Sequence, residues 1–308
     1  MTTALFTHPD FAGHVNIPGH PEQVARIQAV ERGLAGIALD LRNAPMGDWA
    51  DVLRCHAGDY VDLIRGADVP DQGWVQAGAD TYLSAGTVLA ALRGVGGACA
   101  AVDAVATGKA ANAFVVCRPP GHHAERDTAM GFCLFGNVAI AAMRALQVQG
   151  LSRVAVLDFD VHHGNGTQDL VWDAAGAMFV SSHQMPLYPW TGAASERGVH
   201  GQIVNLPLKR GSGGAAMQAA WGPALGRVRA FEPELILISA GFDAHRDDPL
   251  GGLKWVEADF AWLTAAICDV ANECCSGRVV SVLEGGYDLR ALETCVRAHV
   301  GVLEEMGR

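Results

Sequence analysis

Three short stretches carry residue types able to do chemistry together. "RPPGHHAERD" (118–127) sets two prolines and a glycine before adjacent histidines, His122 and His123. "DFDVHHGNG" (158–166) places Asp158, Asp160 and His162 at alternate positions, so an extended segment turns all three to one face. "EGGYDL" (284–289) presents Tyr287 after the glycine pair Gly285 and Gly286, which permit a tight turn. Carboxylates and an imidazole converging on one point are unfavourable without a cation between them. Asp243, in "SAGFDAHRDDPLGG" (239–252), can supply a further ligand. Asp160, His162 and Asp243 then make a set of one nitrogen and two oxygens with open positions, the pattern of catalytic rather than structural zinc sites. Ferrous iron accepts the same donors. Each residue also has a plainer use: the histidines can bond a turn, the aspartates can cap helices, and Tyr287 can pack in a core.

Elements must bring these groups together. Short runs rich in Val, Ile and Leu occur at 113–117, 153–160, 177–182, 234–241 and 278–286. Helical patterns lie between them, at about 87–107, 136–149, 213–230 and 257–275, and from about 289. Continuous apolar runs indicate strands buried on both faces. The expected fold class is α/β: one domain over 1–308, with a mostly parallel central sheet and helices on both faces. In such sheets the site lies beyond the carboxyl ends of the strands. The histidine pair, the aspartate cluster, Asp243 and Tyr287 each follow such a run.

"RPPGHHA", "GFCLFGN", "LDFDVHHGNGTQ", "SAGFDAHRDDPLGG" and "LEGGYDL", with "GHPEQVAR" (19–26) before them, resemble the signature blocks of the histone deacetylase family in its bacterial, class II-like branch, which includes acetylpolyamine amidohydrolases. The blocks run in family order from about residue 19 to 290. The resemblance implies an arginase-like fold and a zinc-dependent amidohydrolase that removes an acetyl or other acyl group from a lysine side chain or similar N-acyl amine. It matches Asp160, His162 and Asp243 to the zinc ligands, with ferrous iron an alternative in vivo. His123 matches the general base and acid, His122 its electrostatic partner, and Tyr287 the oxyanion donor. Asp158 matches a carboxylate that orients His122; with Asp160, His162 and Ser181 it also matches a structural potassium site. Asn165 stands beside His123 where some relatives carry aspartate, which leaves His123 less basic. Gly131, Phe132, Tyr188, Leu250 and Gly286 match the walls of a substrate tunnel. Leu250 offers no charge for a second ammonium group, which favours acyl-lysine or small N-acyl amines over acetylpolyamines. Arg26 matches an arginine near an internal acetate cavity, or is a surface arginine.

Two other readings compete. An arginase-like two-metal centre would want a carboxylate at position 164, which is glycine. An inactive acyl-lysine binding protein would have lost a ligand or the tyrosine, and all are present.

The totals bound the partners. Over 308 residues the net charge is −11, with no basic stripe, so neither DNA nor RNA is an expected partner. The acidic balance mildly favours cationic substrates. Eight cysteines without a CxxC pair read as reduced thiols. With no signal peptide evident and no apolar run of the roughly 20 residues that span a bilayer, a cytoplasmic protein without membrane contact is expected. Homo-oligomerisation is left open. His163 is expected to be a satisfied core histidine, His245 a rim or solvent residue, and Arg118 structural. His20 is expected at a helix start with Pro21 at its first position. Loops 40–56 and 66–82 are expected to shape the tunnel rim.

Overall fold

The computed structural model describes residues 2–308. Eight strands form one sheet: β1 (Ala4–Thr7), β2 (Asp40–Asn43), β5 (Ala113–Val115), β6 (Val154–Asp158), β7 (Ala177–Gln184), β8 (Ile203–Leu208), β9 (Leu235–Ala240) and β10 (Val279–Leu283). Their order is β2-β1-β5-β10-β9-β6-β7-β8 and every pairing is parallel. A separate antiparallel pair joins β3 (Val75–Gln76) to β4 (Tyr82–Leu83).

Alternation along the strands divides the interior into two layers. Val154 and Val156 of β6, Leu235 and Leu237 of β9, and Val280 and Val282 of β10 face one core. That core is closed by α2 (Trp49–Val52), α3 (Gly58–Arg65), α4 (Thr87–Ala106) and α5 (Asn137–Gln147). Ala155, Leu157, Ile236, Ile238, Val279 and Leu283 face the other. There α1 (Ala25–Leu34), α7 (Gly214–Phe231), α8 (Glu257–Cys275) and α9 (Leu289–Met306) cover the sheet. A short α6 (Asn165–Leu170) follows β6. Each fully buried Val, Leu or Ile contributes roughly 1.5–3 kcal/mol, so strands apolar on both faces hold both layers.

The α/β class, the five expected strands and the five expected helices match this architecture. Three expectations do not. By length and composition α4 is apolar enough to cross a membrane, but 72% of its apolar window is buried inside the protein. The 40–56 segment holds the edge strand β2 and helix α2, where Asp51 pairs with Arg144, so it builds scaffold instead of rim. His20 precedes α1, which starts at Ala25, so Pro21 does not open that helix. All eight cysteines are free thiols, seven of them buried.

Candidate active site and metal centre

Asp160 and His162 follow the end of β6, and Asp243 follows β9, the neighbouring strand. One ligand atom from each lies within 4.8 Å of the others, and all three residues are buried. His162 Nδ1 stands 3.0 Å from Asp160 Oδ1 and 3.2 Å from Asp243 Oδ2. Backbone amides fix the carboxylates: His162 N–H donates to Asp160 Oδ1 at 2.9 Å, Gly285 N–H to Asp160 Oδ2 at 2.9 Å, and Val161 N–H to Asp243 Oδ1 at 2.8 Å. Asp243 Oδ2 is buried without a hydrogen-bond donor. Glycine is required around the cluster, because a Cβ at Gly285 would lie 2.1 Å from Asp243 Oδ2 and one at Gly241 2.0 Å from Asp160 Oδ2. Burial and the Asp160 charge push the Asp243 carboxyl up to about 7, a repulsion that a divalent cation would remove. An orphaned buried oxygen, an imidazole nitrogen and a second carboxylate around one point fit a catalytic divalent site.

The histidine pair has unequal partners. His122 Nδ1 is 3.0 Å from Asp158 Oδ2, whereas His123 Nδ1–H donates to Asn165 Oδ1 at 2.7 Å. The rings lie 4.0 Å apart. Burial alone would lower His122, but the Asp160 and Asp158 carboxylates outweigh it and hold the ring well above the ordinary histidine value. His123 is held well below that value, first by burial and then by the positive His122 and His162 rings. Beneath the pair, the buried Glu284 Oε2 accepts the N–H groups of Gly121 at 2.7 Å and His122 at 3.1 Å. Ser181 pairs in register with Asp158, and its hydroxyl is 3.0 Å from His183 Nδ1.

Tyr287 follows the glycine pair, where Gly286 adopts φ +119°. Arg26 is fully buried, which settles it against a surface role. Its guanidinium donates to the carbonyls of Gly286 and Glu284 at 2.7 and 2.5 Å and lies 5.1 Å from the Tyr287 ring centre. Glu22 joins Arg26 to the equally buried Arg118, which also donates to the carbonyls of Phe11 and His14, so Arg118 is structural as expected.

These groups open onto a cavity of about 220 Å³ lined by Asp80, His123, Gly131, Phe132, His162, Leu187, Tyr188, Leu250 and Tyr287. Phe132 meets the Tyr287 ring edge-on at 5.8 Å, and Tyr188 meets His123 edge-on at 5.3 Å. Gly131 has φ +55°, and a Cβ there would lie 2.2 Å from His123 Cδ2. Gly286 does not line this cavity; its carbonyl serves Arg26 instead. His20 packs its ring 4.5 Å from Phe132, at an edge-on angle, and so supports a wall residue without itself lining the cavity. His163 is satisfied on both nitrogens, by Thr191 and Gln168. His245 is buried, not on the rim or in solvent, with its backbone bridged to Trp255.

Four carboxylates escaped the sequence reading. Asp80, from the 66–82 loop, accepts the Gly131 N–H at 2.9 Å. Glu125 accepts from Asn165, Asp248 accepts from the Tyr287 backbone, and Glu284 supports His122. Three of them stand inside or beside the quoted motifs, which was the available signal.

The sequence profile described as Histone deacetylase domain matches residues 20–303. "Histone deacetylase 10, chloroplastic" of Oryza sativa subsp. japonica is 37% identical over 307 residues, covering 92% of this chain and 69% of that protein. "Histone deacetylase-like amidohydrolase" of Pseudomonas aeruginosa is 38% identical over 304 residues, covering 97% and 78%. The crystal structure of the HDA15 HD domain matches with a TM-score of 0.92 at 32% identity, over 99% of this chain and 89% of that one. A shared sheet, a shared sequence profile and a cavity that His162 of the buried Asp160–His162–Asp243 cluster helps to line lead to one assignment: the chain belongs to the histone deacetylase domain family, whose deacetylase and amidohydrolase members support a hydrolase activity.

Proposed function

We propose that this chain is a zinc-dependent amidohydrolase, with ferrous iron the alternative metal, that removes an acetyl or other acyl group from a lysine side chain or similar N-acyl amine. One observation carries the reading: His162 of the Asp160–His162–Asp243 cluster, His123 and Tyr287 line one aromatic-walled cavity. Asp160, His162 and Asp243 would hold the ion. Bound there, it supplies Lewis acidity and an acidified water. His123 keeps its proton on Nδ1, toward Asn165, which leaves Nε2 to accept a proton from water and return it to the departing amine. His122, held positive by its carboxylates, places a fixed charge beside the developing oxyanion. Tyr287 offers its hydroxyl to that oxygen. Phe132 and Tyr188 enclose the apolar lysine stem, and Leu250 lies at the same wall. Asp158, Asp160, His162 and Ser181 are the proposed structural potassium site.

Asp80 favours a second reading, an acetylpolyamine substrate, because it sets a carboxylate in the wall where Leu250 offers none. We place the activity in the cytoplasm, in one domain spanning the chain. The test is a kinetic panel on zinc- and iron-loaded protein: acetyl-lysine peptides, longer acyl-lysines, acetylpolyamines and small acyl amines. Hydrolysis of acyl-lysine ahead of acetylpolyamine supports the first reading, the reverse order the second. No hydrolysis of any amide by metal-loaded protein overturns both.

A further inference from the structure

An amide beside a catalytic imidazole is ambiguous in a way a carboxylate is not. With Oδ1 toward the ring it accepts from Nδ1–H and leaves Nε2 basic. With Nδ2 toward the ring it donates to Nδ1 and drives the ring proton onto Nε2, which removes the base. Something must choose between these two states of Asn165.

The surroundings of Asn165 Nδ2 make the choice. Glu125 Oε1 lies 2.7 Å away. The other acceptors are weak: the His123 carbonyl at 3.5 Å and the Met130 thioether at 3.3 Å. A carboxylate can only accept, so turning the amide over would press Oδ1 against it and lose a charge-assisted bond. Glu125 is half-buried, Asn165 is 4% exposed, and water has little access to substitute for it. The carboxylate follows His123 by two residues, on the same loop, and reaches back to it through the first residue of α6. His122, by contrast, contacts its carboxylate directly.

We infer that Glu125 is a positioning residue which fixes the amide of Asn165 and, through it, the tautomer that makes His123 a base. The inference rests on the proposed role of His123. Glu125 does not touch substrate and exchanges no proton; it sets which nitrogen of His123 faces the cavity.

The experiment combines E125A, the volume-keeping E125M, N165D and E125A/N165D with an H123A control. With Glu125 removed, kcat on an acetyl-lysine peptide falls roughly 10- to 100-fold, the span of a lost charge-assisted bond, while KM stays within about twofold. A carboxylate at 165 cannot be turned over, so adding N165D raises the activity of E125A. In the intact background N165D lowers activity, since it faces the Glu125 charge. This reversal of sign is not expected from a residue that merely supports the fold. Histidine ring nitrogen-15 spectra of the metal-free protein supply a second readout: protonated Nδ1 at His123 in the wild type, protonated Nε2 predominating in E125A and E125M. E125M carries the test if E125A does not fold. The inference is overturned if folded E125A or E125M keeps wild-type kcat and tautomer, or if N165D fails to raise E125A. Full activity in H123A would instead overturn the base assignment itself, which separates the two failures.

Discussion

Asp248 Oδ2 accepts the backbone N–H of Tyr287 at 2.7 Å, and its other oxygen accepts that of Leu250 at 2.9 Å. One buried carboxylate thus ties the proposed oxyanion donor to a residue of the tunnel wall, and it reaches the Asp288 N–H as well, at 3.2 Å. In D248A three backbone donors lose their acceptor. We expect a loss of about 1–3 kcal/mol in stability and a fall in kcat larger than any change in KM. Steady-state kinetics beside thermal melts check both, and unchanged kcat in folded D248A would remove Asp248 from the positioning of Tyr287.

Gly131 backs directly onto the His123 ring. G131A adds a Cβ where His123 already stands, at a positive φ that disfavours side chains. Activity is expected to drop by roughly 100-fold or more, since misplacing a catalytic group by about 1 Å has that effect. The Phe132, Tyr188 and Leu250 side chains of the wall are unchanged, so KM should move less than kcat.

The Glu22 carboxylate links stability to pH. Burial opposes its ionisation, but the Arg118 charge, with His14, holds its pKa well below the usual carboxylate value. A depressed folded-state pKa contributes stability that is present above the unfolded value, 4.5, and lost as pH falls through the folded one. Melting temperature should therefore drop as the buffer is taken below about 4.5. E22Q leaves two buried arginines uncompensated and should lose roughly 3–5 kcal/mol at neutral pH, removing that part of the acid dependence.

Asp243 gives the metal a thermodynamic signature. Its folded pKa, pushed up to about 7 from an unfolded 3.8, makes the charged form unfavourable in metal-free protein above neutrality. Metal-free D243N should melt no lower than metal-free wild type at pH 8. Saturating zinc should raise the wild-type melting temperature, because a ligand at about 100 times its Kd adds about 2.7 kcal/mol. D243N should lose most of that increment. An equal increment in both proteins would move the ion elsewhere.

His123 sets the acidic limb of the rate profile. Its depressed pKa keeps the neutral ring available through neutral pH, so kcat/KM should fall only well below pH 6.5, the ordinary histidine value. N165D replaces a neutral acceptor with a charged one and should move that limb upward.

Much of this was legible because strand runs at 113, 153, 234 and 278 announce both the sheet and its carboxyl ends. The observed strands are shorter, β6 ending at Asp158 and β10 at Leu283, since the residues beyond them turn to build the site. Three strands of the central sheet were hidden for physical reasons. β1 and β2 are four residues each, and β2 is a half-exposed edge whose one apolar residue, Leu41, is exposed. β8 is the opposite edge and carries Pro207. The candidate ligands Asp160 and His162 were visible because side chains two apart share a face. Asp80, Glu125, Asp248 and Glu284 were not, because each serves a backbone amide or a neighbouring side chain whose position only the folded loops define. His20 was misread because a His-Pro pair resembles a helix start, whereas the chain stays irregular until Ala25.

The strand latest in the sequence among those of the sheet, β10, lies in its interior, between β5 and β9. Without it, β2-β1-β5 and β9-β6-β7-β8 are two half-sheets with no strand ladder between them, each offering an open edge. The ligand triad belongs to one half and the histidine pair to the other. Insertion of β10 is therefore the long-range pairing that seats both halves of the proposed chemistry on one sheet.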